Sequence, residues 1–239
     1  MQFSSPLVKG VLVKRYKRFL ADIQLDSGAI VTAHCPNTGK MLTCSTPGSA
    51  VYLSQSDKAQ RKYAYTLEMI RVGDTWVGVN TARTNKLVAE AILLGRIDEF
   101  KSIERIAAEV KTSSHTRLDL QLIQGKRNIY VEVKTCSLVI NGCAMFPDAV
   151  TKRGTKHLQE LIRLVEEGSE ACIFFLVQRM DADRFAPAVH IDAEYGKNLH
   201  DAIAAGVRVL IYQAHVSPQG IDVVKSLPFI LENPEFFPE

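Results

Sequence analysis

For its first eighty residues this chain shows no helical periodicity of useful length, and near Thr84-Asn85 the spacing of its apolar residues changes. Runs rich in β-branched and aromatic residues cover Leu7–Tyr16, Phe19–Leu25, Ala29–His34, Ala50–Ser54, Tyr63–Val72 and Thr75–Asn80. Turn signals at Asp26-Ser27-Gly28, Pro47-Gly48 and Gly73-Asp74 separate them. Five or six short strands in so short a segment predict a small barrel. Beyond the change, Leu87, Val88, Ala91, Ile92 and Leu94 predict a helix with Thr84 or Asn85 as its cap and Gly95 near its end. A weaker helix is expected over Ile103–Val110. Lys152–Gly168 carries Leu158, Leu161, Ile162 and Val165 at helical spacing, and a further helix is expected near Asn198–Ala205. Strands are expected at 171–178 and 207–214. This order predicts a mixed sheet covered by helices, with a domain boundary near residue 81.

Between the helices lies an alternating hairpin. Arg117–Leu122 and Asn128–Lys134 alternate apolar and polar residues, with Gly125-Lys126 as the turn. Side chains alternate across a strand, so Glu132 and Lys134 share a face opposite Val131 and Val133, and Asp119 opposes Leu118 and Leu120. The hairpin therefore brings two carboxylates and one ammonium to one polar face. Solvated hairpins also carry such pairs, so the trio gains meaning only from its surroundings. Oxygen ligands that leave room for water and phosphate are what Mg²⁺ or Mn²⁺ needs beside a phosphodiester. Asp119, Glu132 and the Val133 carbonyl are the candidate metal ligands. Lys134 is the candidate for orienting water or stabilising phosphate charge. Glu90, on the first helix, is the candidate extra acid.

The longest apolar run, Ala171–Val177, is far too short to cross a bilayer and reads as a buried strand. No basic start is followed by an apolar core, so a cytoplasmic setting with free thiols is expected for the five cysteines, none of them in a C-x-x-C pair. His34 and Cys35 are adjacent in a strand and point to opposite faces, which argues against a thiol nucleophile. The net charge is +3, made of +5 in residues 1–80 and −2 in the remainder. A basic first third suits a grip on a polyanion. Lys14, Arg15, Lys17 and Arg18 surround Tyr16 and Phe19, and basic groups with aromatic rings are the equipment for phosphates and bases. Phe19, opening an apolar run, is expected in the barrel core. Ser56, Lys58, Arg61 and Lys62 form a second basic loop. His34 and Asn37 begin a polar loop, and Arg153 and Lys156 stand at a helix start where a phosphate can bind. The tail from Pro228 to Pro238 is expected to pack loosely.

A helix acid, Asp, a spacer and Glu-x-Lys resemble the D/E-x-K restriction-endonuclease-like nucleases. The runs Lys14–Asp22, Val31–Gly39, Trp76–Thr81, Phe146–Thr151 and Arg153–Leu158 resemble the signatures of the sugar fermentation stimulation protein family. The resemblance implies an α+β / α/β chain. Residues 1–81 form an OB-like five-stranded β-barrel that binds nucleic acid. Residues 82–239 form a restriction-endonuclease-like mixed sheet flanked by helices. DNA, or RNA, is then the partner, bound with little sequence preference, and no membrane is expected. Two functions compete: a Mg-dependent nuclease, and a non-catalytic DNA-binding regulator of sugar metabolism on the same scaffold. The oligomeric state is open, a homodimer included.

Overall fold

The computed structural model describes residues 1–57, 60–114 and 116–231. Six strands make the N-terminal unit: β1 (Val8–Tyr16), β2 (Leu20–Leu25), β3 (Ile30–His34), β4 (Ala50–Gln55), β5 (Tyr65–Val72) and β6 (Thr75–Gly78). β1 pairs antiparallel with β2 and β4, β2 with β3, and β4 with β5. A parallel pairing of Ala33 and His34 with Tyr65 and Thr66 closes the ring. The closed order β1-β2-β3-β5-β4 is an OB barrel, and β6 hangs on β5 as a sixth strand. Inward positions such as Leu12, Ile23, Val51, Leu53 and Leu67 are fully buried. Phe19 is not among them: it lies in the turn after β1 and is 47% exposed, because Tyr16 pairs with Leu20 and leaves it outside the ladder.

The second unit follows α1 (Thr84–Leu93), with β7 (Arg105–Lys111), β8 (Arg117–Gln124), β9 (Arg127–Cys136), β10 (Leu138–Ile140), β11 (Cys143–Phe146), α2 (Lys152–Glu166), β12 (Glu170–Val177), β13 (Arg184–Pro187), α3 (Ala193–Ala204), β14 (Arg208–Ser217) and β15 (Gly220–Ser226). Its main sheet runs β15-β14-β12-β9-β8-β7. The central three strands are parallel and the outer pairs antiparallel. Residues 171–177 are wholly buried, as expected for a strand covered on both faces. One face packs Leu87, Val88 and Ile92 of α1 against Leu120, Val131 and Phe174. The other packs Leu158 and Leu161 of α2 and Leu199 of α3 against Ile173 and Phe175.

The helix expected over Ile103–Val110 is instead the edge strand β7, paired with β8. Its Ile and Val spacing fits both periods, and the open edge of the sheet decides between them. Neither Thr84 nor Asn85 caps α1: the cap position is Arg83, without a side-chain bond. β10, β11, β13 and β15 add to the strands expected from the sequence; the first three are short and lack alternation. Of the tail, Phe229 lies 6.0 Å from the Phe185 ring, and the part of it from residue 232 onward falls outside the described residues.

The two units are joined by buried polar contacts. Gly78 donates from its backbone N to the Gln178 carbonyl at 2.9 Å, and a Cβ at Gly78 would stand 2.6 Å from the Gln178 amide oxygen. That close approach requires glycine. Arg179, 1% exposed, reaches the Ser137 carbonyl at 2.7 Å and Thr43 of the barrel at 3.2 Å. Asp148 accepts from the Met41 backbone N at 2.8 Å. The loop between β3 and β4 is thereby held over the end of β9.

Candidate active site

β9 places Val131 and Val133 in the core against α1 and turns Glu132 and Lys134 to the other face. Glu132 is 2% exposed. Its Oε1 accepts from Lys134 Nζ at 2.5 Å and from His157 Nδ1 on α2. Arg153 Nε donates to the other ring nitrogen of His157 at 3.3 Å. An arginine N–H only donates, so Nε2 accepts and the imidazole proton sits on Nδ1, facing Glu132. Burial pushes the Glu132 carboxyl up, but His157 and Lys134 outweigh it and hold the group below the usual carboxylate range.

Asp119 arrives differently. The β8–β9 ladder begins only at Leu120 opposite Val131. Just before it, Asp119 Oδ2 takes the Val133 backbone N–H at 2.8 Å, and Oδ1 takes the Asn85 amide at 2.7 Å. Burial, then the Glu132 charge, pushes its carboxyl up to about 6. One carboxylate is thus held ionised while its neighbour is poised near neutrality.

Asp119, Glu132, Val133 and Lys134 line a cleft of about 440 Å³ that also takes Arg153 from the start of α2 and Arg18, Asn37 and Gly39 from the barrel. Thr84 and Thr135 share a 2.6 Å hydroxyl contact on its wall, and Gln178 donates to Thr84 at 3.1 Å. The donor set is hard oxygen, suited to Mg²⁺ or Mn²⁺ rather than to softer ions. Glu132 Oε2 is buried with no hydrogen-bond partner among the described residues. A buried carboxylate oxygen without a partner is a costly arrangement that a cation would relieve. Among the described residues no three His, Cys, Asp or Glu side chains are placed to hold a metal ion together. Two carboxylates would therefore leave several positions to backbone, water or substrate oxygens, as Mg²⁺ commonly does. The residues fit the ion.

The structure brings Asp119, Glu132, Val133, Lys134, Arg18, Asn37 and Arg153 together. It does not bring Glu90: that carboxylate pairs with the Met1 ammonium at 3.0 Å and is absent from the cleft. Asn85 stands on the face of α1 toward Asp119, and Glu90, five residues on, lies about 140° around the helix. Arg15 is no free cation either. Its guanidinium holds the backbone carbonyls of Arg18, Asn37, Gly39 and Lys40 at 2.5 to 3.1 Å. Lys14 pairs with Asp22 at 3.6 Å, Arg61 donates to Thr66 at 2.9 Å, and Lys62 lies over the Tyr63 ring. Lys17 is exposed in the β1–β2 turn and His34 is half-buried. Neither these nor the exposed Lys156 lines the cleft. Lys58 falls outside the described residues. All five cysteines are buried and none is in a disulfide, and burial pushes the thiols of Cys35 and Cys136 up, Cys44 to about 11 and Cys172 to about 12. A thiolate nucleophile has no place here. Asn85, Thr135, Asp148 and His157 complete the site; Asn85 reads only as a helix cap, and Asp148 and His157 lie in the signature runs Phe146–Thr151 and Arg153–Leu158 with nothing there to tie His157 to a carboxylate 25 residues away.

Two family models match this chain. One, described as "Sugar fermentation stimulation protein RE domain", covers residues 82–220, and another, described as "SfsA N-terminal OB domain", covers residues 13–79. A sugar fermentation stimulation protein homolog of Desulfotalea psychrophila is 53% identical over 97% of this chain and 95% of its own length. One of Geotalea uraniireducens is 48% identical over 95% and 98%. A solved structure, described as that of Pyrococcus furiosus SfsA in complex with Ca²⁺, superposes with a TM-score of 0.89 at 27% identity, covering 96% of this chain and 98% of that one. No helix of the described residues is long and apolar enough to cross a membrane.

Proposed function

The chain belongs to the sugar fermentation stimulation protein family, and on that premise we propose that it is a nucleic-acid-binding protein whose cleft hydrolyses phosphodiester bonds with Mg²⁺ or Mn²⁺. The observation that carries this reading is the unpartnered Glu132 Oε2 buried beside the raised Asp119 carboxyl. The Ca²⁺ complex of the Pyrococcus furiosus relative supports it, because Ca²⁺ also takes oxygen ligands. Asp119 and Glu132 would hold the cation. When bound, the cation supplies an activated water and neutralises phosphate charge. Lys134, fixed by Glu132, orients the attacking water or meets the developing charge. Arg153 presents a guanidinium at the start of α2, where the helix also favours an anion. The barrel, with its exposed basic residues, holds the strand.

The test is cleavage of labelled single- and double-stranded DNA and RNA with Mg²⁺, Mn²⁺ or EDTA, with binding measured on the same preparations. Wild type is expected to cut only with a divalent cation, and Lys134→Ala to lose about a hundredfold in rate with binding retained. Binding without cleavage in every lane assigns the rival reading, a DNA-binding regulator on a nuclease scaffold.

His157 gives a second expected result. Removing the donor that fixes Glu132 lowers cation affinity, so His157→Ala should need about ten- to a hundredfold more Mn²⁺ for half-maximal cleavage. His157→Asn keeps a donor where Nδ1 stands and should recover most of that loss. Equal Mn²⁺ dependence of the alanine variant and wild type would remove His157 from the site.

A further inference from the structure

Lys17 and Arg18, in the turn from β1 to β2, both hold positive φ, +50° and +65°. They open a three-residue loop closed by the Tyr16–Leu20 pair, and left-handed positions in hairpin loops favour Asn and Gly. Side chains larger than glycine are strained there, and neither lysine nor arginine has the short polar group with which asparagine offsets the cost. The strained turn is locked from behind: Arg15 holds the Arg18 carbonyl at 2.5 Å and, with the same guanidinium, the Asn37 and Gly39 carbonyls at 2.8 Å. The turn puts the exposed Arg18 on the wall of the cleft that contains Asp119, Glu132 and Lys134, a hundred residues further along the chain. Lys134 is engaged by Glu132 and Arg153 by His157. The Arg18 guanidinium has no side-chain partner among the described residues.

We propose that Arg18 is a substrate-gripping residue of the cleft: its guanidinium takes non-bridging oxygens of the phosphodiester presented to Asp119 and Glu132. The barrel then completes the hydrolytic site instead of only tethering the strand. This deepens the proposed nuclease function and rests on it. A planar guanidinium matches two phosphate oxygens at once, which a lysine does not. Backbone strain persists where the surrounding structure over-determines it, and here what it delivers is the position of one cation.

The test uses the full chain carrying Arg18→Ala, Arg18→Lys, or Lys17→Asn together with Arg18→Gly. Lys126→Ala, in the exposed turn between β8 and β9, is the remote control. The Asn-Gly pair relieves the turn and should melt roughly 2–5 °C above wild type. It should nevertheless cut roughly a hundredfold more slowly in single turnover, as should Arg18→Ala. Arg18→Lys should fall between Arg18→Ala and wild type. Arg18→Ala cutting as well as Lys126→Ala overturns the proposal, and a pair variant melting below wild type overturns the strain argument. If wild type itself cuts nothing with Mg²⁺ or Mn²⁺, the hydrolytic reading falls separately. Arg18 is then judged by affinity for a fluorescent single-stranded oligonucleotide. An approximately tenfold loss in Arg18→Ala alone keeps it as the cleft's phosphate ligand, and unchanged affinity ends the proposal.

Discussion

Asp119→Asn is expected to abolish cation-dependent cleavage, by about a thousandfold or more, and at the same time to raise the melting temperature of the metal-free protein at pH 7.5. The first effect follows from removing one of two carboxylates that act as a unit. The second follows from burial: the folded carboxyl is pushed up to about 6 against 3.8 for an exposed, partner-free carboxyl. A raised carboxyl favours folding in full below pH 3.8, and that contribution is lost as pH rises through about 6. Above pH 6 the native state must keep a charge beside ionised Glu132. Asparagine has Asp119's shape without its charge, and it can still accept from the Val133 N–H while a flipped Asn85 amide accepts from it. The variant should therefore melt roughly 3–6 °C above wild type at pH 7.5 and match it at pH 4.5. Thermal melts across pH, with Mn²⁺ added in a second series, check both halves. Added Mn²⁺ should raise the melting point of wild type and not of the variant. Normal cleavage by folded Asp119→Asn protein would dispose of the site.

Glu68→Gln carries the largest expected loss of stability. Glu68 in β5 is fully buried. Its carboxylate accepts from Ser54 at 2.6 Å, from Asn80 at 2.9 Å and from two nitrogens of Arg83 at 2.7 Å each. Glutamine removes the charge and offers an N–H where Arg83 needs an acceptor, leaving an uncompensated cation near the domain junction. Breaking a fully buried pair costs about 3–5 kcal/mol, and with the Arg83 side chain 31% exposed the low end applies, about 3 kcal/mol, roughly 6–12 °C in a chain of this size. Asn80 and Arg83 lead directly into Thr84 and Asn85, so amide exchange in α1 should quicken more than exchange in β12. A double variant, Glu68→Gln with Arg83→Met, should be more stable than the single one, because the stranded cation is gone. A melting change within about 1 °C for Glu68→Gln would show the network to be idle.

Alternation and turn chemistry are local, and local signals survive into the fold. The hairpin of β8 and β9 stands where its alternation puts it, with its turn at Gly125-Lys126, and the continuous apolar run is the fully buried β12. Composition was a poorer guide to single charges. Arg15 reads as a phosphate-binding cation beside Tyr16, yet four backbone carbonyls occupy it. Glu90 reads as the extra acid on the right helix, yet the packing of Leu87, Val88 and Ile92 turns it toward Met1. The Ile103–Val110 segment reads as a helix until the edge of a sheet is available to pair with it.

The sequence by itself determined the two units, the change from a barrel to a mixed sheet, and the face shared by Glu132 and Lys134. These depend on the two-residue period of strands and the 3.6-residue period of helices, which short stretches of chain declare on their own. The tertiary structure alone decided which charges meet. His157 reaches Glu132 because α2 crosses the sheet, Asp119 meets Asn85 because α1 packs beside β8, and Arg18 reaches the cleft because Asp148 and Arg179 dock the barrel onto it. Charged side chains carry no periodic signal of their partners. Their energies depend on distance and burial, and those exist only once apolar packing has fixed where each element lies.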